Sequence, residues 1–222
     1  MQHKGNHTQF VIFLFWWAII ILFAASAFIL KGEDVLFING NYSLWQDNFF
    51  KLITTLGEGW IFVPVFIVSL FIRYSLSLSI LAMAILHGLV CAFAKRVLFY
   101  DAPRPSAIID NELLHFVSEV DVHKFHSFPS GHTATIFCFA VLLSLLVRNR
   151  FATFSFLLIA LMVGYSRIYL LQHFLIDVTA GALIGVVSAF MVMYIFDRVQ
   201  LPSNFYHQLK IKKIQRIGTF KF

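Results

Sequence analysis

Charged residues are scarce in this sequence. They make up 13% of 222 residues, against roughly 25% in a typical soluble domain. With 59% hydrophobic residues and a mean hydropathy of +0.81, that scarcity excludes an ordinary water-soluble globule and points to an integral membrane protein. The 27 phenylalanines sharpen the point, because a water-facing surface has nowhere to hide them. Cysteine is nearly absent: Cys91 and Cys138 both sit inside apolar runs, make no metal pattern and no external disulfide framework, and read as small buried apolar residues. There is no internal repeat and no low-complexity segment. The length suits one membrane domain, residues 1–222, with no room for a separate soluble one.

Apolar runs long enough to span, at roughly 20 residues each, divide the chain into six expected helices. They cover residues 10–30, 61–72 (extended back through Gly57-Glu58-Gly59), 76–94, 134–147, 151–165 and 176–196. The expected fold is therefore all-α, a polytopic bundle of six transmembrane helices. Lys4 and Ala25-Ser26-Ala27 resemble a cleavable signal peptide, but the apolar run continues through Phe28-Ile29-Leu30 and favours a retained span.

The net charge of +6 suggests nucleic acid only until its distribution is read. With the N-terminus inside, Lys4, Arg73, Arg148, Arg150, Arg198 and the basic tail of residues 198–222 (Lys210, Lys212, Lys213, Arg216, Lys221) all fall on the cytoplasmic side. Of the 11 acidic residues, only Asp197 falls at the inner boundary. Charge follows topology, so no nucleic-acid partner is expected. The tail either rests on anionic headgroups or only sets orientation. Gly181 and Gly185 have the spacing of close helix packing within the bundle. Residues 34–51, with Trp45, Phe49 and Phe50, suit an interfacial helix.

Three polar clusters then face the outside together. The first is Lys95-Arg96 followed by Arg104-Pro105. Cations gathered near one point need an anion, although Lys95 and Arg96 also suit snorkelling toward headgroups. The second is Pro129-Ser130-Gly131-His132, leading straight into a helix. Its first backbone N–H groups point at whatever anion sits there, unless Ser130 is simply a helix cap. The third is Ser166-Arg167, then His173 and Asp177. His173 and Asp177 are four apart and stack on one helix face. A carboxylate on one imidazole nitrogen leaves the other free to attack, and Arg167 offers a planar fork for phosphate oxygens. A buried Arg–Asp pair with a spectator histidine is the plainer alternative. Together the clusters supply a nucleophile, an acid and several phosphate donors.

The order Lys…Arg-Pro, Pro-Ser-Gly-His, Ser-Arg-x5-His-x3-Asp resembles the three-part signature of the type 2 phosphatidic acid phosphatase superfamily, over Lys95 to Asp177. The resemblance implies metal-free transfer through a phosphohistidine, with no cofactor. His173 would be the nucleophile, Asp177 its orienting partner and His132 the general acid. Arg104, Arg167, Ser130, Gly131 and one upstream cation would hold the phosphoryl oxygens, with Pro105 and Ser166 completing the motifs. One departure is visible: the family's lysine stands seven residues before the arginine, where this chain has Val97. Lys95 or Arg96 must take that role, and Lys95 is preferred by residue type.

His123-x2-His126 is at most half a zinc site, since no cysteine or acidic residue has matching spacing, and His115 reads as a solvated loop histidine. His87 reads as a helix-packing residue that, being intramembrane and ionisable, is worth following. The function expected is an outward-facing phosphatase of a bacterial inner membrane, with the site on the periplasmic or exterior side. Its partner would be a phospholipid or polyprenyl phosphate: undecaprenyl diphosphate, phosphatidic acid, phosphatidylglycerol phosphate or a lipid A phosphate. Phosphotransfer, a soluble phosphate ester and, from another class, anion transport remain as alternatives. The oligomeric state stays open.

Overall fold

A computed structural model describes residues 2–198, with side chains from Asn6 onward. The basic tail beyond Arg198 and the Lys4 side chain lie outside the described residues. Where no water is at hand, a chain must satisfy its own backbone N–H and C=O groups, and apolar runs therefore fold as helices. Among the described residues there are nine α-helices and no strand: α1 (Gln2–Phe28), α2 (Glu33–Gly40), α3 (Leu44–Thr54), α4 (Phe62–Ile72), α5 (Tyr74–Phe93), α6 (Pro105–Ile108), α7 (Gly131–Val147), α8 (Arg150–Tyr169) and α9 (Leu175–Arg198).

The breaks between helices have local causes. Ser43 caps α3 by accepting from Gln46 N, and Asn149 caps α8 by accepting from Ala152 N at 3.0 Å. Helix α7 ends where Arg148 turns left-handed at φ 53. Leu171, between α8 and α9, is also left-handed at φ 58, a conformation that costs an L-residue about 1–2 kcal/mol.

Among the described residues four helices are long and apolar enough to cross a membrane: Asn6–Phe28, Tyr74–Leu98, Arg150–Tyr169 and Leu175–Arg198. A fifth crossing arises if Leu44–Gly57 and Gly59–Ile72, bent by 52°, count as one broken span. Helix α7 is apolar but has only 17 residues, and it is buried along nearly its whole length. It packs chiefly on α8 and α9. Gly181 and Gly185 permit the approach of α9: a Cβ on Gly181 would lie 2.3 Å from Ser130 O, and one on Gly185 2.3 Å from Ala134 O. The glycine pair thus serves packing inside the bundle. Phe15 of α1 meets the edge of Phe137 in α7, ring centroids 6.4 Å apart.

His87 is a packing residue as well. Its Nδ1 donates to Met83 O at 2.7 Å, which leaves Nε2 to accept from Thr135 Oγ1 at 3.2 Å. Cys91 and Cys138 are free and buried. The segment read as one interfacial helix forms two, α2 and α3, seated on the end of α8. Asn39 donates to His115 O and Tyr169 O, while Asp47 accepts from Tyr169 and from His115 Nε2. Trp45 and Leu52 of α3 stay exposed.

The bundle consequently has two distinct ends. At one, His7 Nε2 donates to Ser144 O at 3.0 Å and the Arg150 guanidinium lies over the Phe10 ring. At the other, α2 and α3 gather with residues 99–130, the ends of α5 and α8, and the starts of α7 and α9.

Candidate active site

Helix α5 does not stop cleanly. Its last turn widens into a π-turn, Ala94–Leu98, closed by Phe99 N donating to Ala94 O at 2.8 Å. Such a turn takes up an extra residue and often marks a functional position. Lys95 is turned toward a cavity while Arg96 is exposed and lines none of it. The cavity measures about 570 Å³ and also receives Arg104, Gly131, His132, Arg167 and His173. Members of all three sequence clusters meet there.

Arg104 is held by neighbours on three sides. Its backbone N donates to Lys124 O at 2.8 Å, its Nε to Phe125 O at 3.0 Å and its Nη1 to Gln172 Oε1. Burial lowers its pKa, opposed by the Asp177 carboxylate, and the guanidinium remains charged. Pro105 is buried at the first position of α6 and does not line the cavity. Arg167, in the last turn of α8, donates from Nη1 to Thr54 Oγ1 at 2.7 Å. Its Nε is buried with no partner among the described residues, and a buried unpaired donor costs about 1–3 kcal/mol.

The turn at Leu171 brings the next residues back over the end of α8, where Gln172 N and His173 N both donate to Arg167 O. His173 is 2% exposed. Its Nδ1 lies 3.5 Å from Asp177 Oδ2, and among the described residues no formed hydrogen bond satisfies it. Such a contact is long, as catalytic contacts without substrate often are. Asp177 is fixed independently: Oδ2 accepts from Phe174 N at 3.0 Å and from the Ser127 hydroxyl. Burial pushes the His173 pKa down to about 3, against the upward pull of Asp177, so the imidazole is neutral at pH 7.

Ser130 does cap α7, its Oγ accepting from Thr133 N and Thr133 Oγ1. It is fully buried and does not line the cavity. Ser130 N donates to Asp177 O at 2.9 Å, which ties the starts of α7 and α9 together. Ser166 is buried too, its hydroxyl donating to Val163 O at 2.7 Å, away from the cavity lining. His132 lies under the turn after α3, where a Cβ on Gly57 would come 2.9 Å from the His132 Cβ.

Several residues here carried no signal in the sequence. Thr54, Gln172 and Ser127 each bond a member of the three clusters, and Lys51 and Glu58 line the cavity. Gln172 is adjacent to His173 in the motif, a hint that position alone supplies. Thr54 and Lys51 lie over 40 residues before the first motif, where nothing local marks them. His123 lines the cavity rim. Among the described residues no three His, Cys, Asp or Glu side chains converge as metal ligands.

Comparison with known proteins matches residues 76–201 to the family model of the PAP2 superfamily. A lipid A 4'-phosphatase from Porphyromonas gingivalis is 30% identical over 187 residues, which is 77% of this chain and 76% of that protein. The crystal structure of Aquifex aeolicus LpxE superimposes with a TM-score of 0.66 at 28% identity, over 75% of this chain and 96% of that one. A PAP2-type phosphatidylglycerolphosphate phosphatase from Bacillus subtilis shares the fold, with a TM-score of 0.56 at 22% identity, over 90% of this chain and 98% of that one.

Proposed function

The chain belongs to the PAP2 superfamily and is an integral membrane lipid phosphatase; from that premise we propose that it works through a phosphohistidine on His173. The reading is carried by the convergence of His173, His132, Gly131, Lys95, Arg104 and Arg167 on one cavity, with Asp177 behind the nucleophile.

Lys95, Arg104 and Arg167 hold the non-bridging oxygens, and Gly131 adds a backbone N–H. Ser130, buried behind the cavity lining, caps α7 and so holds that N–H in place. The neutral His173 Nε2 attacks phosphorus while Asp177 accepts from Nδ1–H. The bond from phosphorus to the leaving oxygen breaks, and His132, which takes up a proton once the anionic phosphate offsets the cations around it, gives that oxygen its proton. Water then attacks the phosphohistidine as His132 takes a proton from it. The P–N bond breaks and inorganic phosphate leaves. Histidine supplies the nucleophile and three cations offset the charge, so this chemistry needs no metal.

The topology belongs to the same proposal. Six crossings follow if the bent pair and α7 each count as one, within a single domain of residues 1–222. The positive-inside distribution then puts the cavity on the periplasmic face of a bacterial inner membrane.

A lipid A phosphate is the first substrate to test, because a lipid A 4'-phosphatase matches over three quarters of both lengths. Purified protein in detergent with EDTA would be offered lipid A, undecaprenyl diphosphate, phosphatidic acid, phosphatidylglycerol phosphate and glucose 6-phosphate. The expected result is phosphate release from lipid A, lost by about a thousandfold or more in His173→Ala. Near-normal activity of that variant removes His173 as nucleophile. Activity lost to EDTA and restored by zinc transfers attention to His123 and His126, and release from glucose 6-phosphate alone would mean a soluble substrate.

A further inference from the structure

The two arginines at the cavity share an unusual form of support. Arginines that are buried generally lie against a carboxylate. Here Arg104 and Arg167 are each 8% exposed, yet among the described residues neither makes an ion pair within 4.0 Å. Arg104 bonds Phe125 O and Gln172 Oε1, and Arg167 bonds Thr54 Oγ1. Asp177 acts on Arg104 at longer range and Glu58 lines the cavity, but neither carboxylate bonds a guanidinium: Asp177 accepts from Phe174 N and Ser127, and Glu58 from Trp60 Nε1.

Gln172 is itself immobilised. Its Nε2 donates to Asp121 O at 2.9 Å and Leu170 O at 3.3 Å. Since arginine only donates, the amide oxygen must face Arg104, and the orientation is fixed. Thr54 is the last residue of α3, a different part of the chain, and accepts from Arg167 in the same way.

We infer that Gln172 and Thr54 are positioning residues that orient the two arginines through neutral acceptors and so leave their charge for phosphate. This rests on the proposal that Arg104 and Arg167 hold the substrate phosphate. A carboxylate in either place would fix the same fork but offset its charge, and phosphate would then have to displace or tolerate a like charge. A neutral acceptor takes one N–H of the five in the guanidinium and no charge. The buried Nε of Arg167, unpaired among the described residues, fits a guanidinium held open for an incoming acceptor.

The test separates this inference from the reading beneath it. Binding of inorganic phosphate to the full-length protein in detergent is measured by calorimetry, and lipid turnover in parallel. Thr54→Val keeps the shape and removes the acceptor. It is expected to weaken phosphate binding by about ten- to a hundredfold, the range for a hydrogen bond to a charged group. Thr54→Ser restores the bond and the affinity. Thr54→Asp restores the bond but adds a charge, and is expected to bind phosphate no better than Thr54→Val. Gln172→Leu should resemble Thr54→Val; if it does not fold, the Thr54 series decides alone. Unchanged affinity in Thr54→Val overturns the positioning role. Wild-type affinity in Thr54→Asp overturns the importance of neutrality, and a wild-type protein that binds no phosphate overturns both. Turnover of lipid by wild-type protein, a separate readout, tests whether the arginines serve catalysis at all.

Discussion

The nucleophile proposed here has to be neutral to attack phosphorus, and burial holds the His173 pKa down at about 3. The same burial makes stability depend on pH. The ordinary value is 6.5, so above that pH both folded and unfolded chains carry a neutral imidazole and the folded state is favoured in full. Between 6.5 and about 3 the unfolded chain takes up a proton that the folded one refuses, and stability falls. The thermal midpoint in detergent should therefore drop across that window, and drop less steeply in His173→Gln. Equal slopes would mean that His173 is not buried as a neutral group. At this scale the sequence was most legible where residue type is rare. Histidine, arginine and aspartate stand out in an apolar chain, and His132, His173, Arg104, Arg167 and Lys95 do meet at one cavity. Ser127, Thr54 and Gln172 were invisible because such residues are ordinary anywhere in a chain, and only the folded chain says what they touch.

Elements explain why the motifs meet. The start of α7 can sit beside the start of α9 only because Gly181 leaves room for Ser130 O. Gly181→Val should displace that contact, with a cost of about 1–3 kcal/mol for an overpacked site, and should reduce turnover because Ser130 N bonds Asp177 O directly. A variant as active and as stable as wild type would show that α9 can shift without disturbing the site. Helical spacing made the glycine pair readable in advance. The π-turn at Ala94–Leu98 was not, since a widened turn has no periodic signature; the two-residue offset of Lys95 from the family spacing was its only trace. The break at Glu58 was equally hidden. An apolar run tells how much chain can lie in lipid, not where it bends by 52°.

For the whole molecule the open issue is which end faces outward. Cys91 and Cys138 are buried, so a thiol placed at exposed Glu112, near the cavity end, or at Arg150, at the opposite end, can be read alone. A membrane-impermeant maleimide should label Glu112→Cys in intact spheroplasts and Arg150→Cys only after permeabilisation. The reverse pattern would put the cavity in the cytoplasm. Charge distribution made the two ends legible from the sequence, because short loops rich in Lys and Arg tend to stay on the cytoplasmic side. Antiparallel packing has one more effect at the cavity end. Helices α5 and α8 finish there, and α7 and α9 begin. Lys95 and Arg167 each belong to the last turn of the segment that finishes, where a helix macrodipole is negative, while Gly131 and Asp177 belong to first turns, where it is positive. The C-terminal dipoles give two of the three cations partial company when no anion is bound.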